Sequence, residues 1–261
     1  MYRQPARLTD PLWIIRRVAE LHRDKGLIGT VSHLAAVAVV LAKNAYAALL
    51  RPSRVRRARQ QWGNRTFTLG GQQYRYFFHG HNDTWSNERA VEIAVAAAFV
   101  EGYAGKRVLE VGNVLPNYLS FPHDVVDKHE VGPGVINVDF LEFQPATRYD
   151  AIVSISTIEH VGLEDEVPDP ARAVAAINHL RSLLNDGGEL LVTFPIGYNP
   201  QLDALVRSGR LPMDEVRFMR RVTADNQWVE GTLDDALIAR YGEPFRSGNV
   251  IVIARSCAGH D

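Results

Sequence analysis

The sequence predicts an α/β fold built on a mostly parallel sheet, and three observations carry that expectation. Short apolar runs rich in β-branched residues recur at 107–111, 124–128, 135–138, 150–156 and 189–194, as strands buried on both faces require. Helical patterns alternate with them, from Thr84 to Phe99 and from Asp169 to Leu184. Two further extended stretches, Val216 to Val222 and Asn249 to Ala254, flank a short helical pattern at 233–241. The expected architecture is therefore a seven-stranded sheet with helices on both faces, preceded by an N-terminal helical extension.

The extension comes first. Thr9-Asp10-Pro11 makes a helix start, and Ile14, Ile15, Val18 and Leu21 follow at helical spacing up to Gly26. A second helix is expected from Thr30 to Leu50, with Pro52 beyond it. Its longest apolar run, residues 34–42, is nine residues against the ~20 that span a bilayer. Residues 66–78 alternate around Gly70-Gly71, the pattern of a hairpin. The helix from Thr84 takes a hydroxyl cap and presents Val91, Val95, Ala98 and Phe99 on one face, stopping near Gly102. The helix from Asp169 carries Ala173, Ile177 and Leu180 inward and is expected to end at Gly187-Gly188. The division expected is an arm at 1–60 and a catalytic domain at 61–261.

A hydrophobic fraction of 46% and a charged fraction of 23% fit a folded chain with a sizeable core. The single cysteine, Cys257, excludes an internal disulfide and suits a reducing, cytoplasmic setting. Net charge is only −1, yet residues 1–60 hold 12 Lys/Arg against 3 Asp/Glu, and the remainder holds 17 against 27. A basic arm of that kind faces something anionic. It reads either as a helical cap or homo-oligomer contact, or as a membrane-surface contact through residues 30–59 that makes the protein peripheral to a membrane, or as a span. No nucleic-acid recognition motif accompanies the charge, so a nucleic-acid partner is not expected.

The chemistry gathers at strand ends. Glu110-Val111-Gly112 closes the first sheet strand, where a residue without Cβ permits close approach of a ligand to backbone. The next residues, Asn113-Val114-Leu115-Pro116-Asn117, lack the further glycines that a dinucleotide pyrophosphate needs. Asp127, ahead of Glu130, ends the second strand, where an acid can accept hydrogen bonds from ribose hydroxyls. Asp139-Phe140 comes after the third strand. Glu159-His160 leaves the fourth, and a histidine there is suited to take a proton from a hydroxyl. A satisfied, purely structural role remains the alternative for each of these residues.

Two stretches suit an acceptor pocket: Trp85, Asn87, Glu88 and Arg89 before the first sheet strand, and Tyr198 and Asn199 after the fifth, with Arg220, Arg221 and Trp228 as further wall candidates. The acidic loop of Glu164, Asp165 and Glu166 is a candidate for a hard divalent ion such as Mg2+, against the plainer reading of a solvated loop.

From about Thr84 to Ala254 the chain resembles the class I S-adenosylmethionine (SAM)-dependent methyltransferases. The carrying segments are VLEVG at 108–112, VVD at 125–127, NVDF at 137–140, YDAIVSISTIEHVG at 149–162 and LLNDGGELLVTFPIG at 183–197. More narrowly, TWSNERAVE, TIEHVG and TFPIG are similar to bacterial methyltransferases of glycan and polysaccharide biosynthesis. The resemblance implies a Rossmann-like fold, SAM as methyl donor, and a final pair of extra strands. It implies that Glu110 and Gly112 meet the methionine part, Asp127 the ribose and Asp139 with Phe140 the adenine, while Asn113 and Ser156 complete the cofactor set. Glu159 and His160 then become the catalytic pair, and a sugar or other small hydroxylated molecule the acceptor. Two rivals stay open: a nucleotide-dependent oxidoreductase, and a non-catalytic methyltransferase-like scaffold at a membrane surface.

Overall fold

The computed structural model describes residues 55–163, 169 and 172–259, together with residues 31, 32, 35, 39, 52 and 53. The chain divides into two units, Met1–Arg57 and Ala58–Asp261. In the first, the described positions 31, 32, 35, 39, 52 and 53 are helical, and Val31 and Val39 are exposed. Residues 55–60 of the expected arm are helical as well, and the remainder of it lies outside the described residues. Among the described residues, no helix is long and apolar enough to cross a membrane.

The second unit opens with a helical turn over 58–62 and a hairpin of β1 (Thr66–Leu69) and β2 (Gln72–Arg75). Its turn, Gly70-Gly71, has φ of 60° and 78°, which glycine adopts without Cβ strain. Helix α1 (Arg89–Glu101) comes next, then β3 (Val108–Val111), β4 (Asp124–Val126), β5 (Val135–Ile136) and β6 (Tyr149–Ile155). Helix α2 (Arg172–Ser182) leads into β7 (Leu184–Pro195) and α3 (Pro200–Arg207). The chain closes with β8 (Glu215–Arg221), β9 (Trp228–Gly231), α4 (Leu233–Ile238) and β10 (Val250–Cys257).

The main sheet has eight strands, one more than expected, in the order β5-β4-β3-β6-β7-β10-β8-β9. The first five pair in parallel, and β10 inserts antiparallel between β7 and β8. The extra strand, β9, pairs only with β8 at the sheet edge. The central parallel strands β3, β6 and β7 divide their side chains between two cores. Leu109, Ile152, Leu190 and Val192 pack with Ala173, Ala176, Ile177 and Leu180 of α2. Val108, Val153 and Leu191 pack on the other face, with Ala90, Val91, Ile93 and Val95 of α1 and with Trp62 and Phe67. Burial on both faces is why these strands read as continuous apolar runs.

Three local expectations are corrected. Residues His81–Ser86 form a kinked 3-10 segment, and α1 starts only at Arg89. The Thr84 hydroxyl is buried and donates to the Phe77 carbonyl, so it ties the segment to the end of β2 rather than capping a helix. Gly187-Gly188 does not end α2, which stops at Ser182; the pair lies inside an irregular start of β7, where a Cβ on Gly188 would press on the carbonyls of Asn185, Tyr149 and Asp150.

Candidate active site

Strand order fixes where a ligand can lie. The chain leaves β3 towards β4 on one side, while β6 occupies the other, so a crevice opens outside the carboxyl ends of β3 and β6. A cleft of about 340 Å3 lies there, at the small end of the range for small-molecule sites. It brings together Gly112, Asn113, Asp127, Asp139, Phe140, Ser156, His160 and Arg89.

The loop after β3 is held from below. Glu110 is fully buried, and its Oε1 accepts from the Val114 and Leu115 amides at 2.9 and 2.7 Å. Its Oε2 lies 2.7 Å from His123 Nε2. Glu110 is thus not part of the cleft lining; it shapes the loop that is. Gly112 has φ of 92°, and a Cβ there would run into the Thr157 side chain. Close packing between the two loops therefore demands glycine before any ligand does. Asn113 donates through Nδ2 to Glu130 at 2.9 Å, while its Oδ1 is buried with no hydrogen-bond partner.

The acids on this wall are well satisfied. Asp127 Oδ1 accepts from the His129 and Glu130 amides, both at 2.7 Å, and its Oδ2 accepts from the Asn113 amide at 3.2 Å. Asp139 accepts from the Leu141 amide and pairs with Lys128 at 3.1 Å and Arg172 at 2.9 Å. Burial pushes the Asp139 carboxyl up, but that amide and the two cations outweigh it and hold it below the usual carboxylate range.

Across the cleft the acids are buried together. Glu92 accepts from Ser156 Oγ at 2.7 Å and Thr193 Oγ1 at 2.9 Å, and pairs with Arg89 at 2.9 Å. Ser156 itself has φ of 41°, so this contact anchors a strained residue of the lining. Glu88 accepts from the Gly248 amide. Burial, then the nearby Glu92, pushes the Glu88 carboxyl up. Glu159 is buried behind His160, its Oε1 3.9 Å from His160 Nε2 and its Oε2 without a hydrogen-bond partner. Burial, with Glu92 adding to it, holds the Glu159 carboxyl well above the usual carboxylate range. The His160 ring stands edge-on to Tyr198, centroids 4.9 Å apart, and Tyr198 stands likewise to Tyr241 at 5.2 Å.

Of the expected acceptor residues, only Arg89 reaches the cleft lining. Trp85 stacks on Phe78, centroids 5.0 Å apart. Asn87 is used in its own turn, bonding the Asn82 carbonyl and the Arg89 amide. Asn199 caps α3 through the Gln201 and Leu202 amides and donates to the Glu159 carbonyl. Arg221 donates to the carbonyls of Thr223, Ser86, Arg246 and Ala224, and Trp228 is buried against Asn226. Glu164, Asp165 and Glu166 lie outside the described residues. Among the described residues, no group of three or more His, Cys, Asp or Glu could hold a metal. Sequence reasoning missed Lys128, His129, Thr157 and Arg172 in the lining and His123 beneath it.

No protein-family profile matches the chain, and no curated protein matches it. Among solved structures, it is similar to the N-methyltransferase NodS from Bradyrhizobium japonicum WM9 in complex with S-adenosylhomocysteine, at 15% identity and TM-score 0.40, over 63% of this chain and 85% of that one. It is similar to the 1,6-didemethyltoxoflavin-N1-methyltransferase of Burkholderia thailandensis, at 16% identity and TM-score 0.40, over 83% and 90%. The magnesium protoporphyrin IX methyltransferase of Synechocystis PCC 6803 with bound SAM aligns at 13% identity and TM-score 0.36, over 64% and 79%. Likeness at this level assigns no activity to the chain.

Proposed function

We propose that the chain is a SAM-dependent methyltransferase acting on a hydroxyl of a sugar or another small hydroxylated acceptor. One observation carries the reading. The residues that the sequence resemblance gives to the donor, Gly112, Asn113, Asp127, Asp139, Phe140 and Ser156, come from four different strand ends yet line one cleft together with His160.

The donor set fits such a ligand. Asn113 Oδ1, buried and without a partner beside the Gly112 turn, would accept from an ammonium group. Asp127 has about four lone-pair sites and three amide donors, so it keeps acceptor capacity for a diol, with Glu130 beside it. Phe140 gives the apolar face that a purine needs. SAM would supply a methyl group on a sulfonium, open to in-line displacement by an oxygen nucleophile. His160 would take the proton that the hydroxyl gives up, and Tyr198 against its ring limits how it can turn. Glu159, its carboxyl pushed towards the neutral form by burial, would sit behind the imidazole.

Calorimetric titration of SAM and S-adenosylhomocysteine, with and without magnesium, tests the donor. Binding of both supports the reading; binding of neither defeats it and favours the scaffold. A melting temperature raised by NAD and not by SAM would favour the oxidoreductase instead. His160→Ala that turns over like the parent at every pH would remove His160 as the base. The basic arm supports a membrane-surface contact through residues 30–59, and co-sedimentation with anionic but not neutral vesicles is the expected result.

A further inference from the structure

The contacts of the pair beneath the Gly112 loop call for one hydrogen more than a neutral imidazole supplies. His123 Nδ1 lies 2.6 Å from the Phe121 carbonyl oxygen, and its Nε2 lies 2.7 Å from Glu110 Oε2. A carbonyl only accepts, and Glu110 already accepts two amides through its other oxygen. Two short contacts of this kind need two hydrogens, and a neutral imidazole carries one. The geometry therefore calls for a second hydrogen between Nε2 and Oε2.

We propose that His123 is the positioning residue of the ligand loop, locking Glu110 through this shared proton so that Glu110 in turn holds the Val114 and Leu115 amides and shapes the Gly112–Asn113 turn. When alkaline pH removes the second proton, one hydrogen remains for two contacts: kept on Nε2 it releases the Phe121 carbonyl, and kept on Nδ1 it leaves Nε2 and Oε2 as two facing acceptors. Either way the chain from Phe121 through His123 to Glu110 loses one of its short contacts, and the support of the loop above it loosens. The inference rests on the methyltransferase reading only in taking that loop to be where the donor binds.

Burial on its own pushes His123 down. The hydrogen bonds to Glu110 and to the Phe121 carbonyl outweigh it and leave the imidazole above the usual histidine range. Two acids act on it: Glu110 from β3 and Asp124, its neighbour in the chain. Asp124 is itself held by Arg107 at 3.2 Å and by the Tyr149 hydroxyl at 2.9 Å. The His123 side chain is 2% exposed and Glu110 fully buried, so water does not replace the lost contact. A histidine raised in this way contributes stability that is complete below its unfolded value and fades as pH rises through the folded one.

The test has two readouts on the full chain. In the first, long-range nitrogen–proton NMR of the histidine side chains, with His123 assigned through its backbone, tracks both ring nitrogens from pH 6 to pH 10. Both are expected to stay in the hydrogen-bonded, protonation-linked state at neutral pH and to change together with the Val114 and Leu115 amides on the alkaline side. A ring that titrates near an ordinary histidine value, or amides that do not move with it, overturns the proposal. In the second, S-adenosylhomocysteine affinity is measured across the same range for the parent and for His123→Gln. A charge-assisted hydrogen bond lost from the loop's support should weaken binding roughly tenfold at neutral pH, with the difference narrowing in alkali. Equal affinities at neutral pH would also overturn it. If the parent fails to bind S-adenosylhomocysteine at any pH, the methyltransferase reading falls, while the NMR result still decides whether His123 positions the loop.

Discussion

Asp127 and Asp139 on one side of the cleft, and Glu88, Glu92 and Glu159 on the other, lie at the same end of the same sheet and are held in opposite ways. The aspartates meet backbone amides and two cations, Lys128 and Arg172. The glutamates are buried against one another around a single guanidinium, Arg89. Donors that are plentiful keep a carboxylate charged; burial with few donors drives it towards the neutral form. The first wall therefore presents carboxylates whose acceptor sites are mostly filled by the protein itself. The second is an electrostatic reserve whose charge depends on one arginine.

Removing that arginine should break the contrast most severely. Arg89 stays protonated although burial opposes it, because Glu92, Glu88 and Glu159 all favour its charge. Arg89→Leu would leave the buried Glu92 carboxyl without its cation, at a cost of about 3–5 kcal/mol near neutral pH. Urea unfolding should show the loss shrinking towards pH 5, as the carboxyls that burial pushes up take up protons. A loss that is the same at both pH values would mean that Arg89 acts through packing alone.

On the opposite wall the effect is smaller and does not depend on neighbouring acids. Asp127→Ala strips the acceptor from the His129, Glu130 and Asn113 amides. About 1–3 kcal/mol of stability should go with it, and S-adenosylhomocysteine affinity with that. Asp127→Asn keeps one acceptor oxygen and should recover part of the stability. If both variants melt with the parent, those amides are served by water and the wall is less ordered than its hydrogen bonds imply.

The contrast itself is only half legible in the sequence. Asp127, Asp139 and His160 can be placed because a strand buried on both faces announces its end, and the residues just past that end lie in the crevice. The partners that decide how each acid behaves are distant: Arg172 lies 33 residues from Asp139, and Thr193 lies 101 from Glu92. No local pattern reports such pairs. Strand β9 is hidden for another reason: only four residues long and half exposed, it shows no buried run. Helix α3 differs again, since Asn199-Pro200 is a cap with proline at the first helical position, a readable start signal in residues whose polar and aromatic neighbours suggest ligand binding instead.

Glu159→Gln gives the mildest and sharpest test of the buried wall. The folded Glu159 holds its proton well above the usual carboxylate range because it is buried, with Glu92 adding to the effect. Below that range folded and unfolded chains are both protonated, and the carboxyl adds no pH dependence. As pH rises past it, the unfolded chain releases the proton while the folded one keeps it, so the parent loses stability with increasing pH. Glutamine is neutral throughout. The variant should therefore melt close to the parent at acid pH and increasingly above it towards pH 8, each kcal/mol of relief appearing as about 2–4 °C. A constant offset across that range would show that Glu159 is already ionised in the folded chain, which would add a negative charge to those around Arg89.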